Sequence, residues 1–462
     1  TNNKQQTTNN KQQTTNNKKT PNMSTNKSYK SAFIFVTSLF FLWGFITVLV
    51  DSLIPRLKEV FELTNFQSGL IQLAFFLAYF VFSIPSSQLL AKIGYKKGII
   101  LGLLVIGFGC FLMYPAAYFR IYGVFLIAVF VIGAGLSTLQ VAANPYVATL
   151  GPEESASSRL NLSQAFNSLG TTIAPTIGAL FILSSHVKNE DQIKELTDVQ
   201  REAYFAAEAS AVQSPFVILG AFAVLLGVVF LFVKLPKLLQ KVSNKGYKEL
   251  LSHKPLMYGA LGIFVYVGAE VAIGSYLVDY FMSMELYKVV SESDFMMSIA
   301  NSAASLFNKS FDGANPKSLL GVFVTLYWSG AMIGRFVGAY LTRIIAPAKV
   351  LSIFAILAIT MIVISMTSTG LVSMWAILAV GLFNSIMFPT IFTLAIDGLN
   401  ELKPQASGIL CTAIVGGAVI PPLYGLFSDM QGFKVAFILL LACYGYIMYY
   451  GFMKRKKSVV AG

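Results

Sequence analysis

Twelve apolar runs, each about 18 residues or longer, constrain this chain more than any other feature. They lie at approximately 31–54, 66–90, 98–118, 121–148, 160–184, 213–234, 256–281, 318–345, 349–368, 371–396, 406–428 and 433–453. A helix needs about 20 apolar residues to cross a bilayer's hydrocarbon core, and in lipid only a helix or a closed barrel satisfies its own backbone. The expected fold is an all-α membrane protein with twelve transmembrane helices. Composition supports this, because charged residues are only 12% of the chain while hydrophobic ones are 55%. That is about half the charged share of a soluble domain, so a water-soluble globular protein is excluded. The net charge of +13 sits between apolar runs rather than on a polar surface stripe, which argues against nucleic acid as the partner.

Orientation follows from the basic residues, which gather in cytoplasmic loops. With the N-terminus inside, 23 of the 34 Lys and Arg fall on the cytoplasmic side, 10 fall outside, and Arg335 lies within a run. Both termini are therefore expected in the cytoplasm of a cell (inner) membrane protein. Residues 1–30 read as a disordered tail: 1–22 repeat a polar TNNKQQT unit that cannot bury enough apolar surface to fold, and Met23 is the candidate native start. No cleavable signal peptide is expected, since the first run is long and leads straight into others. The basic stretch 235–255 is the longest inside loop and divides the chain into six-helix halves at 31–234 and 256–453, with a cytoplasmic tail at 454–462. The outside loop 186–212 has helical periodicity and reads as a surface helix.

The two halves resemble each other. Ser87 to Lys92 in the first and Gly338 to Arg343 in the second each place a basic residue five positions after a small one, at a short turn between runs. Gly170-Thr-Thr-Ile-Ala-Pro175 and Gly416-Gly-Ala-Val-Ile-Pro421 share one spacing, and Phe181 and Phe427 follow at a common offset. Related halves joined by a loop are the signature of transporters that rock about a midplane site. The basic turn also has the general form of the major facilitator loop motif G-x-x-x-D-R-x-G-R-K-K: Lys92, Gly94, Lys96 and Lys97 fit, while Ser87 and Ala91 depart from it. Lys92, Gly94, Lys96, Arg335 and Arg343 are the candidate cytoplasmic gate and loop residues, Arg335 by snorkelling from near the inner end of its run.

Ionisable groups within apolar runs are functional candidates by default. Asp51 follows about 20 residues of the first run, and Glu270 lies in FVYVGAEVAIGSYLV with an apolar or small residue on every side for a turn either way; these are the candidate proton-coupling residues. Gln140 and Asn144 share a helix face, and Asn161, Gln164 and Asn167 recur every three residues. Amides both donate and accept, which suits a neutral polyhydroxylated ligand, and Tyr266, Tyr276, Trp43 and Trp328 offer aromatic faces to a sugar ring. Gln140, Asn144, Asn161, Gln164, Asn167 and Tyr266 are the candidate substrate-binding residues. Cys110, Cys411 and Cys443 lie in apolar runs and His186 and His253 in polar loops, so neither a disulfide framework nor a metal site is expected. No nucleophile and base pair marks an enzyme.

The stretches FFLWGFITVLVDSLIP, LTNFQSGLIQLAFF, LQVAANPYVATLGPEESASSRLNLSQAFNSLGTTIAP and FVYVGAEVAIGSYLV resemble the fucose–galactose–glucose:proton symporter family of the major facilitator superfamily. The resemblance runs from about residue 31 to 453 and implies a twelve-helix fold with a central sugar cavity open alternately to each side. In the family's fucose branch a carboxylate on the first span and another on the fourth serve sugar binding and proton coupling. Asp51 matches the first, whereas Gln140 stands where the fucose branch has glutamate and Glu270 where it has glutamine. That exchange resembles the glucose/galactose branch. The resemblance implies a secondary active transporter importing a neutral hexose, glucose or galactose favoured, by cation symport. Protons are the expected ion and sodium the alternative; no cofactor or metal is expected, and the partners are the sugar and the lipid bilayer. An L-fucose:proton symporter is the rival within the class, and a non-transporting sugar sensor the rival outside it.

Overall fold

In the computed structural model the described residues are 23–60, 65–181, 196–236, 238, 246–305 and 316–460. Among them there is no strand. The first half comprises α1 (Met23–Val60), α2 (Asn65–Ile93), α3 (Tyr95–Tyr118), α4 (Tyr122–Thr149), α5 (Ala156–Phe181) and α6 (Asp198–Phe232). A short α7 (Tyr247–Ser252) leads into α8 (Lys254–Ser283), followed by the short α9 (Leu286–Ser291) and α10 (Asp294–Ser305). The second half continues with α11 (Pro316–Ile344), α12 (Pro347–Thr367), α13 (Gly370–Asn384), α14 (Met387–Ile396), α15 (Lys403–Thr412), α16 (Gly416–Gln431) and α17 (Phe433–Val460).

Local chemistry sets several of these boundaries. Thr197 accepts from the Gln200 amide while the Gln200 side chain accepts in return, a capping box that starts α6. His253 caps α8 by accepting from Leu256 N, and Pro347 opens α12, where its missing N–H costs nothing. Gly94, at φ +83°, makes the turn between α2 and α3, a backbone region that favours glycine.

Eleven stretches of the described residues are long and apolar enough to cross a membrane. The expected run 160–184 is not among them. Its residues 160–181 lie in α5, a continuous helix packed against α1 and α11, and the polar side chains from Ser157 to Asn167 lower its hydropathy. The outer faces of the bundle are apolar, with Phe80, Phe108, Ile218, Leu231 and Ile438 all exposed. Such a surface belongs against lipid, and the chain is a multi-pass membrane protein.

Several boundaries differ from the sequence expectation. Helix α1 begins at Met23, inside the stretch read as a tail to residue 30, and α17 continues to Val460 through the basic residues read as a tail from 454. From Asp198 onward the expected surface helix is continuous with α6, whose stretch long and apolar enough to cross is Gln213–Phe232; residues 182–195 lie outside the described residues, as do 1–22. The run 371–396 divides at Ser385–Ile386 into α13 and α14, and 406–428 divides at a 3-10 turn, Ala413–Val415, into α15 and α16. The halves meet through α2 and α4 against α15, and through α5 against α11 and α14.

Candidate functional site

The interface between the halves is polar and its hydrogen bonds gather at one end. That end carries the linker, since Tyr146 at the end of α4 donates to Pro236 O and Tyr247 of α7 bonds to Ser87 of α2. There Ser157 and Thr393 share a bond of 2.5 Å, Ser158 donates to Ala339 O at 2.6 Å, and Ser407 donates to Val141 O at 3.0 Å. Asn161 Nδ2 donates to Thr390 Oγ1 at 3.3 Å, and Lys403 pairs with Glu153 at 3.1 Å. Farther from the linker, Thr172 donates to Met332 Sδ at 3.6 Å. The linker end is closed.

Arg335 lies at the inner edge of this interface, within α11 rather than at a membrane surface. Its Nε donates to Ser385 O at 3.2 Å, the carbonyl freed where α13 ends. Its Nη1 crosses to the other half, donating to the Ser168 hydroxyl and, at 3.4 Å, to Gln164 O. Its Nη2 is 3.7 Å from Glu270 Oε1, and both side chains are nearly buried, at 12% and 13% exposure. Arg335 was expected to snorkel to a gate; the carboxylate one helix away holds it in the bundle instead, because a buried cation takes the nearest counter-ion and acceptors.

Glu270 is in turn fixed by its surroundings. Tyr444 donates to Asn384 Oδ1 at 2.5 Å, Asn384 Nδ2 donates to the Tyr327 hydroxyl at 2.5 Å, and Tyr327 donates to Glu270 O at 3.3 Å. This chain ties α17, α13 and α11 to α8 beside the carboxylate. None of the three residues was expected from sequence, although Asn384, an amide alone in the apolar run 371–396, carried the same signal as Gln140. Tyr266, one turn before Glu270, faces the carboxylate, yet its hydroxyl and Glu270 Oε1 are both buried without a hydrogen bond of full geometry.

The expected amide cluster separates into different environments. Gln140 donates to the Tyr79 hydroxyl at 2.6 Å within the first half. Asn144 lies against the Cys411 thiol of α15, a weak partner, and neither amide atom makes a hydrogen bond of full geometry. Asn161 Oδ1 and Gln164 Nε2 are buried and unpartnered among the described residues. Asn167 Nδ2 instead donates to Phe40 O at 3.0 Å, tying α5 to α1. Asp51 falls on helix α1, and its side chain lies outside the described residues. Trp43 packs on Phe40 with ring centroids 4.6 Å apart, Tyr276 on Tyr424 at 5.4 Å, and Trp328 against Tyr327 at 5.1 Å.

The basic turn residues occupy matching places in the two halves. Lys92 and Arg343 lie in the last turns of α2 and α11 and are exposed, where a helix C-terminus favours a cation. Lys96 donates to Leu231 O at 2.8 Å, joining α3 to the end of α6. Sequence reasoning missed Arg159, which donates to Val147 O, Ala148 O, Pro152 O and Ser155 Oγ and so builds the turn between α4 and α5. Its signal was a lone charge at the start of the polar face of α5.

Two helical halves meeting at buried polar and ionic side chains define a membrane transporter of the two-domain class. The chain belongs to the Major Facilitator Superfamily, which it matches over residues 31–422. It is 44% identical over 436 residues to the glucose/galactose transporter of Brucella abortus biovar 1 (strain 9-941), covering 94% of this chain and 96% of that protein. It is 36% identical over 418 residues to the L-fucose-proton symporter of Escherichia coli (strain K12), covering 88% of this chain and 89% of that protein. Among solved structures it resembles the transporter FucP in the outward conformation, with a TM-score of 0.81, 32% identity, and coverage of 92% of this chain and 99% of that one.

Proposed function

We propose that this chain is a secondary active transporter that imports a neutral hexose, glucose or galactose favoured, by proton symport with alternating access across a cell's inner membrane. One observation carries the reading: both halves contribute buried polar atoms without full hydrogen-bond partners, namely Asn144, Asn161 Oδ1 and Gln164 Nε2 from one, and Tyr266 and Glu270 Oε1 from the other. Buried polar groups are almost always satisfied, so an unsatisfied set at the meeting of two halves suits a ligand rich in hydroxyls. Gln140 and Asn167, each with one bond already made, flank that set as secondary contacts. The relatives named above are a glucose/galactose transporter and a fucose-proton symporter, which supports a sugar cargo and transport rather than sensing or catalysis.

Asp51 is the principal proton carrier in this reading. Glu270, paired with Arg335, acts chiefly as a sugar ligand. The excess of Lys and Arg on the linker side supports cytoplasmic termini. L-fucose is the second reading, supported by the 36% identical symporter. Uptake of labelled glucose, galactose and fucose into vesicles, under separate pH and sodium gradients, tests all of this. Glucose or galactose uptake driven by the pH gradient is expected; fucose uptake alone, or uptake that follows sodium at fixed pH, would replace the sugar or the ion.

A further inference from the structure

We propose that Arg335 is a positioning residue that makes the orientation of the Glu270 carboxylate depend on closure of the linker end. The inference rests on the reading of Glu270 as a sugar ligand. A planar guanidinium donates in several fixed directions at once, and here each direction has a different owner. Nε holds Ser385 O at the end of α13, Nη2 faces Glu270 on α8, and Nη1 alone crosses to Ser168 and Gln164 O on α5 of the opposite half.

Among the described residues the other ionisable groups facing Glu270 are phenols: Tyr266 on its own helix, Tyr327 on α11 and Tyr444 on α17. Arg335 is therefore the cation that compensates the carboxylate among the described residues. The other interhalf bonds named above on the linker side of Arg335 join neutral side chains or backbone, apart from the contacts of Glu153 with Lys403 and Asp397 at the surface. When the halves part at the linker end, Nη1 loses both acceptors on α5. A cation left short of acceptors in low dielectric moves towards its carboxylate, and Oε1, which lacks a hydrogen bond of full geometry and stands 3.7 Å from Nη2 in the closed state, is then occupied. The sugar thereby loses a partner as the linker end opens, so that release is linked to opening.

Three variants of the full-length chain, each in vesicles with sugar exchange as the readout, test this. Ser168→Ala removes one of the two acceptors across the interface and leaves Gln164 O, and about tenfold weaker sugar affinity is expected, in line with one hydrogen bond to a charged group. Arg335→Gln leaves the carboxylate uncompensated, so its exchange should fall at acidic pH relative to the parent measured at the same pH. Arg335→Lys keeps the charge without the three-way geometry: it should retain the parent's pH profile and lose affinity as Ser168→Ala does. The Glu270→Gln, Arg335→Gln double variant removes both charges and should be no worse than either single change, which separates coupling from misfolding. Defective exchange in Glu270→Gln with normal affinity and pH profile in the Arg335 and Ser168 variants overturns this inference alone. Normal sugar affinity in Glu270→Gln overturns the Glu270 assignment as well.

Discussion

At the scale of single residues, amides that look equivalent in sequence differ in what they are free to do. Gln164 and Asn167 are one turn apart on α5, yet Gln164 Nε2 is buried without a partner while Asn167 Nδ2 is bonded to Phe40 O. Gln164→Ala should therefore weaken sugar binding by about 1–3 kcal/mol with little loss of thermal stability. Asn167→Ala should do the reverse, lowering the melting temperature more than the affinity; binding by ligand-induced fluorescence change and unfolding in detergent separate the two. Asp51 makes the other residue-scale prediction. Asparagine at that position mimics the neutral carboxyl, so Asp51→Asn should abolish uphill accumulation driven by a pH gradient and retain exchange of sugar against sugar. Continued accumulation would transfer the proton to another group.

At the scale of helices, close approach matters more than hydropathy. Helix α5 is the least apolar crossing because one face carries Ser157, Asn161, Ser163, Gln164, Asn167 and Ser168, all buried. It stays in the bundle because small residues let α1 come close: Thr37 and Ser163 share a bond of 2.9 Å, and a Cβ at Gly170 would overlap Phe41 O of α1. Gly170→Ala should force the helices apart and cost about 1–3 kcal/mol of stability, as overpacking does. A lower melting temperature together with reduced exchange is the expected result. The break in α13–α14 acts differently, since it frees a carbonyl within the bundle, and at Ser385 that carbonyl accepts from Arg335 Nε.

At the scale of the whole molecule, one closed end defines the state, and its surface carries a titratable contact. Asp397, just beyond α14, has its carboxyl pushed above the ordinary carboxylate value by burial and then by Glu153 of the opposite half, while Lys454 and Lys403 oppose the shift. A carboxyl whose pKa is raised in the closed state favours closure while protonated. That contribution is present at low pH and is lost as pH rises through the raised value. A cysteine at Thr393, whose hydroxyl meets Ser157 in the closed end, should label faster at about pH 8 than at about pH 5 by more than an exposed reference cysteine does, on a background free of native cysteines, the reference removing the thiol's own pH dependence. Asp397→Asn should flatten that dependence.

The sequence by itself determined whatever is local along the chain. Apolar run length gave the crossings, the matched spacings at Gly170 and Gly416 gave two related halves, and the period of the helix put Gln140 beside Asn144 and Asn161 beside Gln164. Each of these needs only the rise and turn of one helix, so each could be read before any helix was packed. Tertiary structure alone decided which of those side chains has a partner. Arg335 meets Ser168 and Gln164 across 167 and 171 residues of chain, and Asn384 joins Tyr327 to Tyr444 across 57 and 60. Whether Asn167 faces a ligand or Phe40 O depends on how α5 is rotated against α1. Rotation, depth and approach between distant helices are set by the packing of all of them together, and the order of residues in one helix does not encode them.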